Sequence, residues 1–244
     1  MTVRGSLRIA AAIVQLSIAA APVSAFGQAR TPPHIPEPDD TVHVIQQEDP
    51  AGTQLFFTAT GRTLARGDSY IGIHVEPVYR IVIPSAAIGL TDRVTIAAGA
   101  AVLVGEAAAF FVAPRVQIIQ RPKVQASLGA LAFYLDDDLI GIAYGVGTFG
   151  NEDKALSAGL GYLYTGSGDD LREPTLSLGG ELRVGRRIKL ITENHVAPYL
   201  GNAWLLGGIR VMGDRLSAEL AVFGALGDSY CCVPIVNLSY LFGR

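Results

Sequence analysis

The feature of this sequence that most limits its fold is a two-residue period of polar and apolar side chains, which runs from residue 54 onward. Over residues 175–184, Thr, Ser, Gly, Glu and Arg alternate with Leu, Leu, Gly, Leu and Val. Successive side chains of a strand point to opposite faces, so this period predicts strands with one apolar face and one polar or small face. The pattern recurs at residues 93–104, 123–130, 215–220 and 237–242. We therefore expect an all-β chain.

Turn signals divide these runs in an alternating order. Short ones lie at residues 91–92, 120–123, 150–153, 185–187 and 213–214, and looser ones at 105–106, 136–138, 166–173, 195–201 and 226–229. Tight turns at one end and longer loops at the other are typical of an antiparallel up-and-down barrel, which has an even number of strands. Ten strands follow residue 92, and residues 54–90 supply the rest. The sequence thus predicts about 12 strands, within a range of about 10–14.

The length of the alternating segments favours a membrane barrel over a secreted soluble β domain, which remains the alternative. The segments run to about 10–13 residues, whereas a globular strand usually has about 5–6 and a strand that crosses a bilayer needs about 9–11. The composition agrees, because 50% of the residues are hydrophobic and only 17% are charged. Aromatic residues near the strand ends are typical of the two membrane interfaces. They include Tyr134, Phe149, Tyr162, Tyr240 and Phe242.

Residues 1–25 have the features of a signal peptide. Arg4 and Arg8 precede an apolar stretch at residues 9–21, and Val23-Ser24-Ala25 offers small residues for cleavage. This order of a basic, an apolar and a small-residue region predicts export and removal of the segment.

Residues 26–52 have a different composition, with five prolines among acidic residues. Proline lacks a backbone donor and has a fixed φ, so this stretch is predicted to be an extended, solvated leader. The alternative is a tail that binds a partner or plugs a pore. The barrel is then expected to occupy residues 53–244.

Five short segments resemble a group of uncharacterised bacterial outer-membrane β-barrel proteins. They are residues 60–64 (TGRTL), 67–70 (GDSY), 89–92 (GLTD), 179–181 (GGE) and 191–194 (ITEN). The resemblance implies a location in the outer membrane of a Gram-negative cell and no known activity. The partners we expect are outer-membrane lipid and, during insertion, the barrel-assembly machinery, whereas the oligomeric state is left open.

Other classes of function are disfavoured. The net charge is −3 and only three residues are Lys, which argues against a nucleic-acid partner. No His residues have the spacing of a metal site, and no glycine-rich turn opens a helix to hold a phosphate. Three Asp at residues 136–138 could bind calcium, but a charge run at a hairpin tip is more often solvated. We therefore expect no metal site, no cofactor and no catalytic residues.

Charged residues on the polar face form a candidate lumen network. A tight turn at residues 185–187 would place Glu181 opposite Lys189, and one at 213–214 would place Arg210 opposite Ser217 and diagonal to Glu219. The whole predicted network is Glu181, Arg183, Lys189, Glu193, His195, Arg210 and Glu219. Such charges either line the water path of a narrow pore or pair with one another and fill a closed structural barrel.

An enzyme is the second hypothesis from a different class. Ser177, Glu193 and His195 would lie on one wall, and a serine, a histidine and an acid resemble in outline a lipid-cleaving barrel enzyme. Such an enzyme needs these groups near the lipid surface, whereas this pattern places them on the lumen side. A non-enzymatic barrel is therefore the main prediction, and a lipid hydrolase is the alternative.

Overall fold

The computed structural model describes residues 48–135, 138–165, 173–197, 202–226 and 232–243. These residues form a closed barrel of 12 antiparallel strands, which confirms the predicted fold class and strand number. The signal peptide and residues 26–47 of the leader lie outside the described residues. Within the described part, no helix is long and apolar enough to cross a membrane.

The strands follow one another around the barrel in chain order. They are β1 (Ser69–Glu76), β2 (Ile81–Thr91), β3 (Val94–Leu103), β4 (Ala107–Arg121), β5 (Val124–Leu135), β6 (Asp138–Gly150), β7 (Lys154–Thr165), β8 (Glu173–Gly185), β9 (Ile188–Ala197), β10 (Asn202–Met212), β11 (Leu216–Leu226) and β12 (Val233–Phe242). The barrel closes where β1 pairs with β12, with Ser69 opposite Phe242. Closure removes the sheet edges that an open sheet would have to protect.

The two ends of the barrel differ. All connections at one end, including 92–93, 122–123 and 186–187, have two or three residues, and we call it the tight-turn end. Residues 77–80 and 104–106 lie at the opposite end, which we call the loop end. The predicted long loop at residues 166–173 falls largely outside the described residues.

The outer surface is apolar. Leu176, Leu178 and Leu182 are 44–48% exposed, while Thr175 and Glu181 on the other face of β8 are buried. Exposed aromatic rings lie near both ends of the barrel: Phe110, Tyr134 and Tyr162 toward the loop end, and Phe149, Tyr240 and Phe242 toward the tight-turn end. An apolar band between two aromatic girdles is the surface of a transmembrane barrel and not of a soluble one.

The segment before β1 lies inside the barrel. Residues 53–68 were expected to belong to the wall, but the first wall strand begins at Ser69. Residues 48–64, which we call the lumen segment, include the buried residues Leu55, Phe56 and Leu64. A turn at its tip is closed by Leu55 N–H donating to Thr58 O at 2.9 Å. This part of the leader and of the expected barrel domain is therefore enclosed by the strands.

The strand register differs from the expected one by two residues. Glu181 lies opposite Ile191 and Arg183 opposite Lys189, because Arg186 and Arg187 form the turn between β8 and β9 and a bulge lies between Arg183 and Gly185. Arg210 lies directly opposite Glu219. A shift by two residues keeps every side chain on its face, so the expected inward residues still point inward.

Candidate functional site

Buried charges meet in the tight-turn half of the barrel. Oδ2 of Asp49, in the lumen segment, lies 2.6 Å from Nζ of Lys189 and 2.8 Å from Nη1 of Arg210. Lys189 also contacts Glu181 at 2.9 Å, and Nε of Arg210 contacts Glu219 at 2.5 Å. Arg62 of the lumen segment forms an ion pair with the other oxygen of Glu181. Three cations thus face three carboxylates, and we call these six residues the ionic cluster.

The ionic cluster is shielded from solvent. The side chains of Lys189 and Arg210 are 0% exposed, and that of Asp49 is 2% exposed. Burial opposes ionisation of Asp49, but the positive charges of Arg210 and Lys189 outweigh it and hold the pKa of this carboxyl well below its usual range. Since a buried charge is tolerated only with its partners, each member of the cluster depends on the others.

Arg210 also binds the backbone of the lumen segment. Its Nη1 donates to Ala51 O at 3.1 Å, and its Nη2 donates to Gln54 O at 3.0 Å and Leu55 O at 2.7 Å. A guanidinium carries five N–H donors in a planar fork, so one side chain can serve two carboxylates and three carbonyls. The inward face of β10 therefore holds the lumen segment by charge and by hydrogen bonds.

Glu193 on β9 binds the tip of the lumen segment. Its carboxylate accepts from Phe56 N at 2.8 Å, Phe57 N at 2.9 Å and Thr58 N at 3.1 Å. The hydroxyl of Thr58 and Nε2 of His195, at 2.7 Å, complete its partners. Hydrogen bonds to an ionised acceptor are about twice as strong as neutral ones. Glu193 thus gives the backbone N–H groups of the turn the acceptors that a neighbouring strand would otherwise supply.

The returning arm of the lumen segment follows the opposite wall. Gly61 N donates to Thr148 Oγ1 at 2.8 Å, and Gly61 O accepts from Gln117 and Ser127, each at 2.9 Å. A Cβ at Gly61 would lie 2.5 Å from the backbone oxygen of Gln125. Glycine therefore permits an approach to the wall that other residues would prevent.

The structure separates the seven predicted network residues into three places. Glu181, Lys189, Arg210 and Glu219 belong to the ionic cluster, and Glu193 and His195 lie at the tip of the lumen segment. Arg183 is at the tight-turn end, where its Nε contacts Asp153 at 2.5 Å.

Sequence reasoning missed the partners that come from the lumen segment, Asp49 and Arg62. Asp49 lies in an acidic, proline-rich stretch that is typical of solvated chain, so its local pattern gives no sign of burial. Arg115 on β4 was also missed. Its signal was visible, since it is a single charge on an inward face that also carries Ala109, Phe111, Ala113 and Gln117.

The geometry of Ser177, Glu193 and His195 is not that of a nucleophile and its base. Ser177 lies opposite His195 in the β8–β9 register. However, Nε2 of His195 hydrogen-bonds with Glu193 at 2.7 Å and lies 3.3 Å from Thr58 Oγ1. All three residues are on the inward face, away from the apolar outer band. No group of three or more potential metal ligands lies together in the described parts of the chain.

An apolar cluster lies in the loop half of the interior, which the expected polar lumen did not include. Leu55 and Phe56 of the lumen segment pack in one cluster with Trp204, Leu206, Phe223 and Ile235 from the wall. The inward face is thus polar where it meets the backbone of the lumen segment and apolar where it meets the side chains of Leu55 and Phe56. The interior of a small barrel can be filled by side chains in this way.

A cavity of about 250 Å³ lies beside the tip and extends toward the loop end. Phe56 and Phe57 contribute to it from the lumen segment. Its wall residues include Ile81, Ile83, Phe111, Leu131, Phe133 and Ile142. Polar side chains also line it, among them Tyr70, His74, Arg115 and His195.

Solved structures with the same fold are outer-membrane porins. No family model matches the chain, and no curated protein matches it in sequence. A KdgM porin in complex with disordered oligogalacturonate has a TM-score of 0.56 and 5% identity, and the match covers 72% of this chain and 99% of that one. The fold is that of an outer-membrane porin.

Two further structures give the scale of the likeness. Another KdgM porin structure matches with a TM-score of 0.54 and 6% identity over 72% of this chain and 99% of that one. The NanC porin matches with a TM-score of 0.48 and 9% identity over 71% of this chain and 97% of that one. At such identities the likeness extends to the fold alone.

Proposed function

We propose that this protein is a non-enzymatic outer-membrane barrel whose lumen is closed by its own lumen segment. The observation that carries the proposal is the position of Asp49 between Lys189 and Arg210, which anchors the segment inside the wall. The porin fold, the apolar outer band and the expected signal peptide support the outer membrane as its location. Of the two forms that the sequence left open, a narrow pore and a closed barrel, we favour the closed one.

Contacts around the whole circumference support closure. Besides Lys189 and Arg210, the lumen segment hydrogen-bonds with Tyr70 on β1, Gln117 on β4 and Thr148 on β6. These strands lie on different sides of the barrel. The segment therefore spans the cross-section in the tight-turn half, and ions would have to displace it to pass.

Conductance across planar bilayers tests the proposal. The wild-type protein should stay near the baseline, because the segment occupies the path. A variant without residues 48–64 should conduct. Since this deletion could prevent folding, Asp49→Asn combined with Glu193→Gln provides a second test. It removes the charges that hold the start of the segment and its tip, and it should raise the conductance above that of wild type.

Arg187→Gln is the matched control, because Arg187 is 64% exposed and forms only a 3.9 Å surface pair with Asp214. It should conduct no more than wild type. Wild-type channels as large as those of the deletion variant would contradict the closed lumen.

A further inference from the structure

We propose that the cavity beside the tip of the lumen segment binds a small apolar molecule that carries a carboxylate. The inference rests on the proposed function in one respect, since Phe56 and Phe57 line the cavity only while the segment is docked. It goes further by assigning a ligand class to a barrel that is otherwise closed.

The size and lining of the cavity select a small apolar body. Its volume of about 250 Å³ lies just below the range of about 300–1,000 Å³ that is usual for drug-sized ligands. Rings of Phe57, Phe111 and Phe133 and aliphatic side chains of β2, β5 and β6 surround it. The exposed surface of this lining is mainly apolar, so an aromatic or short aliphatic body packs against it favourably.

Arg115 selects a negative charge. It lines the cavity and is 8% exposed. Its Nη1 donates to two backbone oxygens of the lumen segment, Thr53 O at 3.1 Å and Thr60 O at 3.4 Å, while its Nε has no hydrogen-bond partner. No acidic side chain of the described residues forms an ion pair with it. Every cation of the ionic cluster has such a partner, so Arg115 is a buried charge whose counter-ion is not supplied by the described wall or segment.

A second buried polar atom lines the same cavity. Nε2 of His74, on β1, has no hydrogen-bond partner, and its side chain is 6% exposed. The ring of Phe57 lies 4.0 Å from the imidazole ring, measured between centroids, so the histidine is held against the lumen segment. A buried group without a partner is costly. A ligand with oxygen acceptors would supply a partner to Arg115. It would also supply one to His74 when Nε2 carries the proton.

The charge balance favours a carboxylate over a phosphate monoester. One guanidinium without a counter-ion matches one negative charge, whereas a phosphate monoester carries nearly two. The ligand should enter from the loop end, because the lumen segment fills the tight-turn half. Its apolar body would lie among the phenylalanines and its carboxylate at Arg115.

Titration calorimetry of the full protein in detergent, corrected for binding to empty micelles, tests this inference. Benzoate is the probe, benzamide is its neutral counterpart of the same shape, and acetate lacks the apolar body. We expect saturable binding of benzoate that is at least roughly tenfold tighter than that of benzamide, because a charge-assisted hydrogen bond replaces a neutral one. Acetate should not bind measurably. Equal binding of benzoate and benzamide would overturn the proposal.

Variants locate the binding site. Arg115→Gln should remove the preference for benzoate, and Arg121→Gln, which removes an exposed charge from the same strand, should retain it. Ala113→Phe fills the cavity without changing a charge and should abolish binding of benzoate, so it remains informative if Arg115→Gln does not fold. Unchanged benzoate binding in Ala113→Phe would place the probe elsewhere and overturn the proposal.

The two proposals fail in different experiments. Low wild-type conductance with no preference for benzoate leaves the closed lumen intact and removes only the ligand. High wild-type conductance removes the closed lumen whatever benzoate does.

Discussion

Asp49 and Arg210 form a buried ion pair at 2.8 Å although 161 residues separate them in the chain. One partner comes from a segment whose composition is typical of solvated chain, and the other from the inward face of a membrane-spanning strand. The pair links the lumen segment to the wall of the barrel. Its strength can be tested by a change at either of its two residues.

Removal of Arg210 should destabilise the barrel strongly. Arg210→Ala leaves Asp49 and Glu219 with one cation fewer in a site shielded from solvent, which should cost about 3–5 kcal/mol of unfolding free energy. Arg187→Ala removes an exposed charge instead and should cost under about 1 kcal/mol. Urea unfolding in lipid vesicles measures both. Similar small losses of unfolding free energy in the two variants would mean that water screens the charges of the ionic cluster.

The contribution of Asp49 to the free energy of unfolding should be unchanged in mild acid. Because its pKa is lower in the folded than in the unfolded state, its stabilisation is complete above the unfolded value of about 3.9 and is lost as the pH falls through the folded value. The difference in unfolding free energy between wild type and Asp49→Asn should thus be the same at pH 7 and pH 5 and shrink only in stronger acid. A difference that disappears between pH 7 and pH 5 would contradict the depressed pKa.

The outward row of β8 should tolerate only apolar side chains. Leu178→Arg places a charge on the lipid face and should cost about 2–4 kcal/mol if the position is near the bilayer midplane. Leu178→Phe is the matched control and should cost much less. Gly179→Ser is unsuitable as an inward control, because a Cβ there would lie 2.2 Å from Cδ1 of Leu55 and 2.8 Å from Thr192 O. Equal losses from Arg and Phe would refute the lipid-facing assignment.

The close approach of Gly61 to the wall should make it sensitive to a single methyl group. Gly61→Ala should cost about 1–3 kcal/mol, since the added carbon meets the backbone of β5. Gly224→Ala, where a Cβ would meet nothing within 4 Å, should be nearly neutral. Unfolding in urea compares the two, and protease sensitivity of residues 48–64 reports whether the lumen segment has been displaced. Protection equal to wild type in Gly61→Ala would contradict the tight fit.

The wall of the barrel was predictable because its signals are local. The alternation of Leu176, Leu178 and Leu182 with Thr175 and Glu181 assigns both faces of a strand, and the turn signals give the strand order. The register of the strand pairs was harder to predict from the sequence, because it depends on which residues form each turn. Arg186 and Arg187 do so between β8 and β9, and a bulge between Arg183 and Gly185 moves the pairing back by one residue, which leaves the shift of two.

The lumen segment was not predictable in the same way, since its partners are distant in sequence. Leu55, Phe56 and Phe57 form a short apolar run that a wall strand could also carry, yet the backbone N–H of Phe56 donates to Glu193 and not to a neighbouring strand. The plug remained an alternative reading of the leader because nothing within residues 26–52 indicates which wall residues would receive Asp49. Arg115 was the clearest missed signal, because it is the one charge on an inward row of β4 that also holds Ala109, Phe111, Ala113 and Gln117.

The pairing of β1 with β12 has a consequence for how the protein assembles. The lumen segment directly precedes β1 and contacts wall residues up to 161 positions later, and β1 itself must wait for β12 before the ring is complete. Both sets of contacts are of very high sequence separation, which slows folding because chain entropy is lost before the contacts form. The sheet must close around the lumen segment while β1 pairs with β12. Docking of the segment and closure of the barrel therefore become one late, cooperative event and not two successive ones.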